Sequence, residues 1–248
     1  MIDLTGLYLR ELIPLGSITL NVYGALYVLA FLLLVYMIKK EAHNTTLDSE
    51  RCALYLILGI LLGARLTYML VYAFPQFIQN PLNVFLIGKG GMSFHGGIIG
   101  FLIGGYWFLT KNKEHTHVLM RIAEKICYTL PGILIIGRLI NLTNGEIPGK
   151  LTTLPWCIVQ RTIEGCRHPI PLYEILGMCV LILFFMHIKH KISSVEKKGA
   201  LCIILYSILR LLVDIFREQT TYGGIGISLI LSSITLLLGV IIYRTKRA

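Results

Sequence analysis

Charge is what this chain has least of. Only 15% of its 248 residues are Asp, Glu, Lys or Arg, while 55% are hydrophobic. Long polar stretches are missing as well. No segment between the apolar runs is long enough for a core of its own, so a separate soluble domain is not expected. The P-loop, HExxH, paired CxxC and GxSxG signatures are absent, so nucleotide, metal and serine-hydrolase chemistry lack support and no cofactor is expected. The first sixteen residues hold Asp3, Arg10 and Glu11 but no cleavage-like ending after an apolar core. The first apolar span is therefore expected to serve as its own insertion signal.

What is present is a series of apolar runs close to the roughly 20 residues a helix needs to cross a bilayer. Seven spans can be drawn, over about 18–38, 52–74, 92–109, 126–142, 172–188, 199–216 and 224–243. This predicts an all-α, polytopic membrane protein, one integral-membrane domain over 1–248, with the lipid bilayer as surroundings. The formal charge of +10 follows the ends of the spans and not a basic-aromatic patch, so no nucleic-acid partner is expected. One set of loops holds thirteen basic residues: Lys39, Lys40, Arg51, Lys111, Lys113, Arg121, Lys189, Lys191, Lys197, Lys198, Arg244, Lys246 and Arg247. The opposite set holds six: Arg10, Lys89, Lys150, Arg161, Arg167 and Arg217. That bias predicts the N-terminus outside and the C-terminus in the cytoplasm.

Polar residues inside the runs are the candidates for chemistry. The stretch 137–149 carries Arg138, Asn141, Asn144 and Glu146 at the end of an apolar segment, with Gly145, Pro148 and Gly149 to stop the helix and let backbone come close. Gly96, Gly100 and Gly104 recur every four residues in the third span, a smooth face for another helix. His95 stands at its mouth, either as an interfacial histidine bonded to a carbonyl or as a proton acceptor in a cavity. Tyr206, Arg210, Asp214 and Arg217 share one face of the sixth span. Arg210 and Asp214 could neutralise each other. Yet Arg65, Arg138 and Arg210 leave an excess of buried arginine that asks for an anion from elsewhere, and a lipid phosphate suits the guanidinium fork. Glu174 is expected in the first turn of the fifth span, where favourable placement against the helix dipole is one explanation and a part in the site the other. Tyr23 and Tyr68 fit an aromatic belt. Cys157 and Cys166 share an outer loop and could pair in an oxidising compartment, with two free thiols the alternative.

With these motifs in hand, the chain resembles the bacterial prolipoprotein diacylglyceryl transferases. The resemblance is carried in order by Val22-Tyr23-Gly24, Gly63-Ala64-Arg65-Leu66, the run from Gly90 to Gly97, the stretch 137–149, Arg167-His168-Pro169, Leu172-Tyr173-Glu174, and Tyr206 through Arg210 to Arg217. It implies a seven-helix enzyme of the bacterial inner (cytoplasmic) membrane. Such an enzyme moves the diacylglyceryl group of phosphatidylglycerol onto the lipobox cysteine thiol of preprolipoprotein signal peptides and releases glycerol phosphate. It also implies catalytic roles for His95, Arg138, Arg210 and Glu146, and substrate-binding roles for Tyr23, Asn141, Asn144, Gly149 and Tyr206. Arg138 and Arg210 would clamp the phosphate, with His95 and Glu146 competing as base. The chain departs from the family's usual pattern at Ile140 (commonly Gly), Pro148 (commonly Trp) and Ile170-Pro171 (commonly Ser-Gln). Two other readings of the arginines stay open. One is a transporter or lipid-binding membrane protein with an arginine-lined cavity; the other is a paralogous transferase with another acceptor.

Overall fold

The computed structural model describes residues 1–6, 12–15, 18–160, 163–188, 190–192, 194–218, 221–222 and 225–245. Arg10, Glu11, Arg161, Lys189, Gly224, Lys246 and Arg247, which entered the reading of spans and loop charge, lie outside them. Eight α-helices are present among the described residues: α1 Val22–Ala42, α2 Ser49–Val71, α3 Phe74–Gln79, α4 Phe94–Lys111, α5 Thr116–Asn144, α6 Ile170–Ile188, α7 Val195–Asp214 and α8 Ile227–Thr245. Each apolar run drawn on the sequence carries a helix. Five of them, α1, α2, α5, α6 and α8, are long and apolar enough to cross a membrane. The other two long helices fall outside that set: α4 begins at Phe94-His95 and ends in Lys111, and α7 holds Glu196, Lys197, Lys198, Arg210 and Asp214.

Side-chain exposure follows the same logic. On α6, Leu176, Val180 and Leu183 are about two-thirds exposed, while Glu174, Met178, Leu181 and Phe185 on the other face are buried. Apolar outward and polar inward is the pattern of a helix whose surroundings are hydrocarbon.

The chain divides into two units, residues 31–123 and residues 1–30 with 124–248. In the first, α2 and α4 meet along glycines. A Cβ on Gly63 would lie 2.5 Å from the Gly96 carbonyl oxygen, and one on Gly100 would lie 1.9 Å from the Gly59 carbonyl oxygen. The spacing of Gly96, Gly100 and Gly104 thus finds a matching pair, Gly59 and Gly63, on α2, and the two backbones touch where side chains would separate them. Asp48 caps α2 by accepting from the Arg51 amide at 3.0 Å.

Helix α5 starts at Thr116, ten residues before the run expected from 126, and belongs to the second unit from Glu124 onward. Glu124, just ahead of that run, is neutralised by Lys198 of α7 at 2.7 Å. Pro131 sits inside α5 and has no N–H for the Cys127 carbonyl four residues back. The Cys202 thiol of α7 donates to that carbonyl at 3.8 Å, so an acceptor the proline orphaned is met from a neighbouring helix. Met178, Leu181 and Phe185 of α6 form a core against Leu134, Ile135, Leu205, Tyr206 and Leu209. Helices α7 and α8 share a hydroxyl pair, Ser207 and Thr235, 2.9 Å apart.

Small sheets occupy the connections, an addition to the all-α expectation. Strands β1 Ile2–Asp3, β4 Ile158–Gln160 and β5 Ile163–Arg167 form one sheet in the order β1-β4-β5. Strands β2 Leu12–Leu15 and β3 Ile18–Asn21 form a hairpin, as do β6 Thr221–Tyr222 and β7 Ile225–Gly226. The β2–β3 hairpin explains why α1 begins at Val22 and not at 18. Cys157 and Cys166 are joined by a disulfide with Cα atoms 5.5 Å apart, closing the loop that carries β4 and β5.

Candidate active site

The last turns of α5 set out Arg138, Asn141 and Asn144 on one face, three residues apart. Gly145 then takes φ +69° and Ile147 φ +59°, which turns the chain so that Glu146 folds back over the helix end. The Glu146 amide donates to the Asn141 carbonyl at 2.9 Å. Its carboxylate accepts from three side chains: the Tyr23 hydroxyl of α1 at 2.6 Å, Asn141 Nδ2 at 2.7 Å and Asn144 Nδ2 at 3.1 Å. Asn141 Nδ2 also reaches the Tyr23 hydroxyl at 2.9 Å, and its Oδ1 accepts from Arg138 Nη1 at 2.9 Å. One asparagine therefore links the arginine to the tyrosine–glutamate pair. Asn144 Oδ1 is buried without a hydrogen-bond partner among the described residues.

Arg138 reaches a second group through its Nε, which contacts Glu174 Oε2; the other oxygen of that carboxylate contacts Arg210 Nη1. Glu174 is fully buried and lies one turn into α6, not in its first turn as the sequence suggested. Its role there is charge pairing and not capping. Arg210 Nη2 donates to Asp214 at 3.2 Å and to Ser228 Oγ of α8 at 3.1 Å, and Ser228 Oγ donates to Asp214 at 2.5 Å. Arg217 stands 3.8 Å from the same aspartate. Tyr206 lies one turn before Arg210 on α7, against the Met178–Phe185 core.

These contacts correct the arginine count. Two buried carboxylates match Arg138 and Arg210, and Arg65 rests on main-chain carbonyls of Asn83, Gly90 and Gly91. The apparent excess came from not assigning Glu174 to the same depth. An acid one turn inside an apolar span signals a buried partner, but with the span drawn from 172, Glu174 fell in its first turn. Ser228 offered no comparable cue.

Gly149 is where backbone comes close. A Cβ there would lie 2.2 Å from the His168 carbonyl oxygen. Its own carbonyl accepts from Arg167 Nη1 at 2.9 Å, and it bridges to Arg217. Lys150 N donates to the Phe216 carbonyl at 2.8 Å and Glu218 N to the Pro148 carbonyl at 3.0 Å. The loop after α5 is thereby stitched to the end of α7. Eight of the nine candidate residues thus fall in one unit, with Tyr206 held there by packing on the Met178–Phe185 core and the other seven by the contacts above. His95 belongs to the other unit, where it is buried in the first turn of α4, edge-on to Phe94 at 6.1 Å.

The profile of the family described as prolipoprotein diacylglyceryl transferase matches residues 10–245. The chain belongs to this family. A phosphatidylglycerol–prolipoprotein diacylglyceryl transferase of Legionella pneumophila (strain Lens) is 32% identical over 94% of this chain and 95% of its own length. The protein of the same name from Photobacterium profundum is 33% identical over 93% and 90%, and that of Pectobacterium atrosepticum 31% over 85% and 82%. Within this diacylglyceryl transferase, the departures from the usual pattern are packed and satisfied. Ile140 and Ile170 are buried, and Pro171 sits in the first turn of α6, where its missing N–H breaks no helical bond. Pro148 accepts from the Glu218 amide through its carbonyl, which any residue there could do.

Proposed function

We propose that this membrane enzyme transfers the diacylglyceryl group of phosphatidylglycerol to the lipobox cysteine thiol of preprolipoprotein signal peptides. The thiolate sulfur attacks the glyceryl carbon that bears the phosphate ester. A C–S bond forms, the C–O bond breaks, and glycerol phosphate leaves with the bonding electrons. A free thiol has a pKa of about 8.5 and reacts as thiolate, so a base must take its proton. Charge grows on the departing phosphate and is stabilised by fixed guanidinium donors.

The observation that carries this reading is the position of Arg138. About a fifth of its side chain is exposed, against 6% for Arg210, and it joins the Glu174 pair to the Tyr23–Asn141–Glu146 network. Arg138 is the arginine assigned direct contact with phosphate; Arg210 supports it through the shared carboxylate. Asn144 Oδ1 supplies an acceptor for a headgroup hydroxyl. Both oxygens of Glu146 are engaged by Tyr23, Asn141 and Asn144, so Glu146 is assigned to organising that site and His95 to the proton. Gly149 and Tyr206 line the headgroup's surroundings.

The same reading places seven helices across the inner membrane, with the N-terminus outside, from the loop charge bias. Incubating purified protein with labelled phosphatidylglycerol and a lipobox peptide should yield a thioether-linked lipid on the cysteine. Lipid binding or movement without that product would favour a transporter. Labelling of a cysteine placed at Lys246 by an impermeant reagent in intact cells would overturn the orientation.

A further inference from the structure

Arg65 takes no part in the chemistry above, yet it is a buried cation in an apolar helix, 4% exposed. Its guanidinium is occupied by three main-chain carbonyls. Nε and Nη2 both donate to Asn83 O, at 3.3 and 3.0 Å, while Nη1 donates to Gly90 O and, at 3.1 Å, to Gly91 O. With its fork filled this way, it is not built to hold a phosphate. It fastens a loop.

The neighbouring turn of α2 completes the fastening. Ala64 O accepts from Ser93 N at 3.0 Å. The Arg65 guanidinium lies over the Tyr68 ring, 5.8 Å from its centroid. Gly91, at φ +71°, comes so close to that ring that a Cβ would lie 2.3 Å from Tyr68 Cε1. Residues 64–68 therefore grip the segment from Asn83 to Ser93 at several points within one helical turn. Ser93 then caps α4 by accepting from the Gly96 amide at 3.3 Å, and His95 follows in the first turn.

We infer that Arg65 is a positioning residue for His95, holding the Gly90-Gly91 turn on α2 and so fixing where α4 and its imidazole begin. The inference rests on the assignment of His95 to the thiol proton. The physical reason for arginine is reach. Its planar fork bonds Asn83 at one end and the Gly90-Gly91 turn at the other, in a low-dielectric interior where each such bond is strong. A lysine ammonium is a point donor and cannot span both.

The test is a double-mutant cycle on the purified full-length enzyme, comparing wild type, Arg65→Lys, His95→Gln and the double variant in transfer to a lipobox peptide. Arg65→Lys should lower kcat roughly tenfold while KM for phosphatidylglycerol changes less than about twofold. In the His95→Gln background the same substitution should change the rate little. An equal loss in both backgrounds, or no loss in either, overturns the positioning role. Wild-type rates for His95→Gln alone would instead remove the assignment of His95, and the inference with it. If Arg65→Lys does not fold, Gly91→Ala disturbs the same contact from the loop side and must show the same dependence on His95.

Discussion

Arg138 and Arg210 share one carboxylate: each guanidinium takes a different oxygen of Glu174, a side chain with no exposed surface. Removing the negative charge leaves two cations facing each other across a fully buried position. Glu174→Gln should therefore cost about 3–5 kcal/mol of stability, the usual result of breaking a buried pair on one side. It should also lower transfer at least roughly tenfold, since neither arginine keeps its orientation. Thermal unfolding in detergent and the transfer rate per folded molecule measure the two effects separately.

Lysine should replace neither arginine. Arg138→Lys and Arg210→Lys are each expected to reduce turnover by at least about tenfold, or 1.4 kcal/mol of transition-state stabilisation. The structure adds an asymmetry. Arg210 also holds Asp214 and Ser228, so its lysine variant should lose more thermal stability than that of Arg138. Near-wild-type turnover in both would place the phosphate elsewhere.

The Cys157–Cys166 bridge closes a short loop between strands and touches no proposed reacting group. Its removal should cost about 2–3 kcal/mol at most in the chain-entropy model. Turnover of the folded Cys157→Ser, Cys166→Ser double variant should stay close to wild type in the lipobox-peptide assay. Loss of activity without loss of fold would give the bridge a catalytic part.

His168, in the loop between β5 and α6, has its pKa held below the ordinary imidazole range, first by burial and then by the Lys150 charge. The unfolded imidazole, with a pKa of about 6.5, binds a proton that the folded one resists. Stability is therefore complete above that value and is lost as pH falls through it. Wild type should lose thermal stability between about pH 7 and 5 by more than His168→Gln does, and equal losses would exclude this histidine as the source.

Much of the fold was legible in the sequence. Apolar runs of membrane length gave the helices, because such runs have no other way to satisfy their backbone. Four-residue glycine spacing gave the α4 face, and Gly-Pro punctuation gave the turn after α5. The starts of helices were less legible. The fourth run was drawn only from 126, just after Glu124, because a charge says nothing of a partner 74 residues away, which here is Lys198. Glu174 was misread for the same reason: its spacing fits a helix start, while its function depends on Arg138 and Arg210 from two other helices. The β1-β4-β5 sheet escaped notice because strands of two to five residues carry too little periodicity to register.

The ion pairs around Asp214 and Glu174 have a consequence for the end of the reaction. Arg138, Arg210 and Arg217 pair with Glu174 and Asp214, and Glu146 is joined to Arg138 through Asn141, three positive charges against three negative. These six groups are electrically balanced before lipid arrives. On the proposed chemistry, a phosphodiester enters with one negative charge, and a phosphate monoester leaves with close to two at neutral pH. Among the six, no cation is left over to retain that second charge. The same neutrality that makes the cluster tolerable inside a bilayer therefore lets the spent headgroup go.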